Sequence, residues 1–194
     1  VHDFAWTTDN RYAKPLVKTW NGPNGPVQVK VLYPPDYASN AEPVMQATLD
    51  SLKYFSDTLG PYPYGTVTAV VPPYGADEAG GMEYPTFFTA DSTRQDAPGT
   101  LGRFALDFVT VHEFGHGYFY GILASNEFEE PYLDEGMNEY WDQRMMTARK
   151  PDIVLTNPWL KPFGIGTRLT PFQMERLGAR LGDPADPLGD HAWS

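Results

Sequence analysis

Val27, Val29, Val31 and Tyr33 alternate with Gln28, Lys30 and Leu32, a period of two that predicts a half-buried strand. The stretch before it, Asn21 to Pro26, is dense turn chemistry, and Pro34-Pro35 ends the run. The period then lengthens. Met45, Leu49, Leu52, Phe55 and Leu59 fall at helical spacing, so a helix is expected, opened by a capping box at Ser39–Glu42 and closed at Gly60. Pro61 to Gly65 reads as a rigid turn, and Thr66 to Val71, rich in β-branched residues, as a buried strand broken by Pro72-Pro73. Gly80 to Phe88 reads as one further extended run. Asp91 to Gly99, polar with Pro and Gly, is expected to be a mobile surface loop, and Asp3 to Trp6 a short edge strand.

Beyond residue 100 the helical period dominates. Leu101 to Tyr120 is predicted as a helix buried through Phe104, Phe108, Val111 and Phe119 and stopped by Gly121. Asn126 to Glu130 is an acidic loop. Pro131 suits the first turn of a second helix. That helix should run to about Arg149, with Arg144, Arg149 and Lys150 at the negative end of its dipole. Asp152 to Leu169 reads as irregular. Thr170-Pro171-Phe172-Gln173 opens a short helix expected to end near Gly182. The pattern is α+β: a sheet-rich part (1–99) followed by a helical part (100–194), with no internal repeat or domain boundary.

Composition narrows the classes. A chain of 194 residues with 41% hydrophobic content suits one ordered domain with a substantial core. The net charge of −11 and a pI of about 4.6 argue against nucleic acid or an anionic membrane surface as partner. Aromatic side chains, 14% of the total, are then more simply core and pocket lining than a nucleic-acid stacking platform. No run of 18 apolar residues exists to span a bilayer, and cysteine is absent, so disulfides are excluded. Location stays open between cytoplasmic and secreted. The start at Val1 and the abrupt Ala192-Trp193-Ser194 end lead us to expect a piece of a longer chain with further domains.

The chemistry concentrates in Val111-His112-Glu113-Phe114-Gly115-His116. A lone histidine is more often an ordinary core residue. Two histidines four apart on a helix leave the same face, one turn apart, and suit a divalent transition metal, zinc being the usual occupant. Glu113 lies on the adjacent part of the turn, placed to act as general base without being a ligand. A catalytic zinc needs a third protein ligand, and Glu135 follows His116 after eighteen intervening residues, in the helical context Tyr132 to Tyr140. Upstream lies Gly80-Gly81-Met82-Glu83-Tyr84. Glu139, four residues after Glu135, is a candidate partner for the outer nitrogen of a zinc histidine, His112 for instance. Asp134 competes for that role, and a solvated helical Glu is the plain alternative. The chain contains no G-x-S-x-G, P-loop, G-x-G-x-x-G or cysteine nucleophile.

These three pieces in this order resemble the gluzincin metallopeptidases, and among them the aminopeptidase-N-like family, with its Gly-x-Met-Glu-Asn strand, H-E-x-x-H and spaced zinc-binding Glu. The resemblance covers most of the first ~150 residues. It implies a thermolysin-like catalytic domain: a mixed sheet lobe beside a helical lobe, with one zinc held by His112, His116 and Glu135. It implies that Glu113 is the base and that Glu83 binds the free α-amine of a peptide substrate. Gly80, Gly81 and Met82 would align that peptide, the glycines letting its backbone come close. Tyr84 stands where the family has Asn. The family also uses a downstream Tyr to stabilise the oxyanion, and no Tyr follows Tyr140 here. The activity implied is removal of N-terminal residues. The alternatives are an endopeptidase or epoxide hydrolase of the same family, or a non-catalytic module that holds zinc and binds peptide.

Overall fold

The turn residues Pro23 and Asn24 close a hairpin between β1 (Leu16–Gly22) and β2 (Gly25–Leu32), with Gly22 opposite Gly25. Gly25 has φ +111°, a conformation open to glycine at little cost. In this computed structural model the described residues are 3–73, 75–76, 79–150, 153–155, 163, 166–170 and 173. The alternation expected in β2 is present: Val27, Val29 and Val31 are buried, and Gln28 faces outward. β1 was not foreseen. Its residues are half-buried at best, and pairing with β2, not a pattern of its own, makes it a strand.

From β2 the chain crosses through α1 (Ala38–Thr58) to β3 (Thr66–Val70), which lies parallel to β2. Such a parallel pair needs a crossover of this kind. The capping box expected at Ser39–Glu42 is not formed. A 3-10 turn at Pro35–Tyr37 runs directly into the helix, so its first N–H groups donate to the Pro34 and Pro35 carbonyls. Glu42 pairs instead with Lys18 of β1. Asn40, fully buried, donates to the Thr93 carbonyl (2.9 Å) and to Asp96 (3.1 Å) and accepts from the Thr93 N–H (2.8 Å). The loop expected to be mobile, Asp91 to Gly99, is thus pinned to α1.

The single extended run expected over Gly80 to Phe88 is a hairpin of β4 (Met82–Tyr84) and β5 (Phe87–Thr89), broken at Pro85-Thr86. The five-stranded sheet has the order β1-β2-β3-β5-β4 and is mixed: β3 and β5 are parallel, the outer pairs antiparallel. Asp3 to Trp6 is not a strand, and Phe4 and Trp6 are largely exposed. Aromatic content alone does not make an edge strand without a ladder to join.

α2 (Leu101–Phe119) is capped by Thr100, whose hydroxyl accepts from the Arg103 N–H. The next helix is not uniform. Tyr132–Gly136 is a π-helical turn, and only then does α3 (Met137–Arg149) continue as an α-helix. β6 (Ile153–Leu155) and β7 (Thr167–Leu169) form a small antiparallel pair where irregular chain was expected. Where a helix was expected to open at Thr170, a reciprocal capping box is present: the Thr170 N–H donates to Gln173 Oε1 (2.9 Å) and the Gln173 N–H to Thr170 Oγ1 (3.3 Å). The continuation toward Gly182 lies outside the described residues. The architecture is α+β, with a mixed sheet and packed helices. Its core joins the inner face of β2 and β3 to an aromatic cluster of Phe55, Tyr62, Phe114 and Tyr118 between α1 and α2, with ring centroids 5.5–6.2 Å apart.

Candidate metal centre

Phe114, Val111 and Phe119 turn one face of α2 into the core. The opposite turn presents His112 and His116 together. Their Nε2 atoms lie 3.1 Å apart. The π-helical turn delivers Glu135 from the other side, with its Oε2 3.4 Å from His112 Nε2 and 3.8 Å from His116 Nε2. A tetrahedral ion with bonds of about 2.0–2.1 Å needs ligand atoms roughly 3.3 Å apart, so this triangle has the size and the N,N,O donor set of a zinc site.

The outer nitrogens are also held. His116 Nδ1 donates to Asp134 Oδ1 at 2.5 Å, and His112 Nδ1 donates to Asp142 Oδ2 at 2.7 Å. Both carboxylates are buried, at 2% and 0% exposure. With each Nδ1 proton so directed, each Nε2 is left to face the shared point. The partner for His112 expected at Glu139 is therefore Asp142. Glu139 Oε2 stays 4.0 Å from His112 Nδ1, beyond hydrogen-bond reach, and accepts from Gln143 at 3.2 Å. Glu139 and Asp142 follow Glu135 by four and seven residues, so both share its helix face and spacing alone does not choose between them.

Burial works against charging His112, but its bonds to Asp142 and Glu135 outweigh that and push its pKa up to about 11. Burial likewise opposes a charged His116, yet Asp134 and Glu83 raise its pKa. The hydrogen bond from His112 lowers the pKa of Glu135.

Glu113 is 7% exposed, and its Oε2 has no hydrogen-bond partner. Burial, opposed by the two histidines and reinforced by Glu83 and Glu135, pushes its pKa up to about 8. Glu83, on β4 at the end of the sheet, offers an oxygen within 4.8 Å of Glu113 and His116 ligand atoms. Burial raises its pKa too. Gly81 has φ +65°, and a Cβ there would stand 3.1 Å from Glu113 Oε1, so glycine relieves the backbone and lets the acid come close. Gly80 precedes it and Met82 begins β4. Glu83, Tyr64, Tyr84, Tyr120 and His116 line a cavity of about 20 Å³, room for about one water-sized group. Tyr140 is half exposed on α3, its hydroxyl accepting from Arg144 (3.0 Å).

No protein-family model matches the chain, and no curated protein matches it. Solved structures do. The crystal structure of Legionella pneumophila aminopeptidase A in complex with aspartic acid is similar over 68% of this chain, with a TM-score of 0.54 and 14% identity. This chain spans 16% of that protein's length. At such identity the likeness shows the fold. No helix among the described residues is long and apolar enough to cross a membrane.

Proposed function

We propose that this chain carries the active site of a zinc metallopeptidase of the aminopeptidase-N-like kind, cleaving residues from the N-terminus of peptides. The observation that carries the reading is the convergence of His112 Nε2, His116 Nε2 and Glu135 Oε2 within 3.1–3.8 Å, beside the buried Glu113, whose Oε2 has no hydrogen-bond partner. Zinc held by these three residues would supply Lewis-acid polarisation of the scissile carbonyl and lower the pKa of water toward about 7.

The protein's own groups then divide the work. Glu113 takes a proton from the attacking water at its free oxygen and passes it to the departing amine. Burial raises the Glu113 carboxyl above the ordinary carboxylate range, which makes its ionised form a stronger proton acceptor. Asp134 and Asp142 keep both imidazoles in the ligating tautomer. Glu83 pairs with the substrate ammonium and sets the cut one residue in. A module holding zinc for structure alone would have no use for Glu113.

A panel of free and N-acetylated peptides tests this. Free peptides should be shortened from the N-terminus and their acetylated forms spared. Equal cleavage of both would remove Glu83 from the role of amine reader, and no cleavage by the zinc-loaded chain would overturn the peptidase reading.

A further inference from the structure

Asn138 is fully buried between α2 and α3. Its Nδ2 donates to the His112 backbone carbonyl at 2.9 Å. The same nitrogen lies 3.4 Å from His112 Nδ1, but that ring nitrogen gives its proton to Asp142, so donor faces donor there and the amide's bond is the one to the carbonyl. On its other side Asn138 Oδ1 has no partner. Space for it exists only because residue 115 is glycine: a Cβ at Gly115 would fall 2.0 Å from Asn138 Oδ1.

A buried amide with one atom unsatisfied is a poor choice for folding alone. Removing both the amide and the need for Gly115 would fill the gap with two methyl groups and place a better helix former in α2. Residues that break a local rule in this way gather at functional sites. The amide reaches His112, whose distance from Glu135 must be held, and Glu135 sits on the π-helical turn that leads directly into α3. We propose that Asn138 is a positioning residue: it locks α3 to the carbonyl of His112 and so keeps the two histidines in register with Glu135 for metal binding. This rests on the reading of His112 as a zinc ligand. The wild-type chain binding no zinc would end that reading, and with it the inference.

The test is zinc affinity by calorimetry, with thermal unfolding of the metal-free protein measured alongside. Asn138→Ala leaves a hole and can lose stability for that reason. The double variant Asn138→Ala/Gly115→Ala refills the space without the amide. The expected result is a double variant whose metal-free midpoint is at or above wild type and whose zinc affinity is about 10-fold lower or worse, on the scale of losing an outer partner of a ligand. Affinity within about 2-fold of wild type would overturn the inference while leaving the metal site intact. Failure of the double variant to fold would overturn it as well, because the amide would then be a requirement of the fold.

Discussion

Carboxylates crowd the site, and what each touches separates their roles. Asp134 and Asp142 each hold a histidine proton, Glu135 faces both Nε2 atoms, and Glu113 touches no donor at Oε2. Glu83 stands beside Glu113, and Glu139 is turned to Gln143. Glu113→Gln should therefore keep zinc, seen by elemental analysis, and lower peptide turnover by about 10²–10⁴-fold. Unchanged turnover would remove Glu113 from the chemistry. Asp142→Asn keeps the shape but not the charge that holds the His112 proton, so zinc affinity should drop about 10–100-fold, whereas Glu139→Gln should leave it near wild type. Proton balance gives a further expectation. Asp142 and Glu135 raise the His112 pKa, and Asp134 and Glu83 that of His116, each against the opposing effect of burial. On the proposed ligand set, zinc binding should displace a histidine proton near neutral pH. Apparent affinity should rise with pH, by about tenfold per unit for each proton released, and calorimetry in buffers of different ionisation enthalpy counts those protons. A flat profile between about pH 6 and 8 would contradict the proton-for-metal exchange.

At the scale of elements, the site is a meeting of α2, the π-helical turn before α3, and the β4–β5 hairpin. A π-helical turn is rare and recurs at functional positions; here it carries Glu135 while α3 carries Asp142. The sequence showed that a helix should hold both histidines and that a carboxylate would return to them. It did not show that the returning helix starts with a widened turn, since hydrophobic spacing does not separate π from α over five residues. Nor did the run from Gly80 to Phe88 betray its hairpin, because Pro85-Thr86 permits a turn without demanding one. Gly81→Ala probes this junction. The left-handed backbone alone should cost about 1–2 kcal/mol, lowering the unfolding midpoint. The added methyl would press on Glu113, so turnover should fall while zinc content holds. A variant as stable and active as wild type would show that the hairpin does not fix the acid.

For the whole molecule, the sheet and the site share one core. Phe55 of α1 lies within 5.5–6.3 Å, ring centre to ring centre, of Phe114, Tyr118 and Phe119, all on the helix that carries the histidines. Phe55→Ala should cost about 3–5 kcal/mol, read from chemical denaturation. Because the proposed ligands come from two elements, zinc should stabilise only the folded chain. At a free concentration near 100 times its dissociation constant the gain is about 2.7 kcal/mol, lost on chelation. What the sequence by itself determined was local. Period-two valines made β2, helical spacing made α1 and α2, and two histidines four apart had to share a face, because backbone geometry dictates such patterns within a few residues. The tertiary structure decided what depends on distance in space. It chose Asp142 over Glu139, gave Gly115 to the amide of Asn138, pinned the Asp91–Gly99 loop on Asn40, and turned β1 into a strand. Each of these rests on a partner many positions away, and a hydrogen bond or a steric gap of a few tenths of an ångström between two packed elements leaves no periodic mark in the chain.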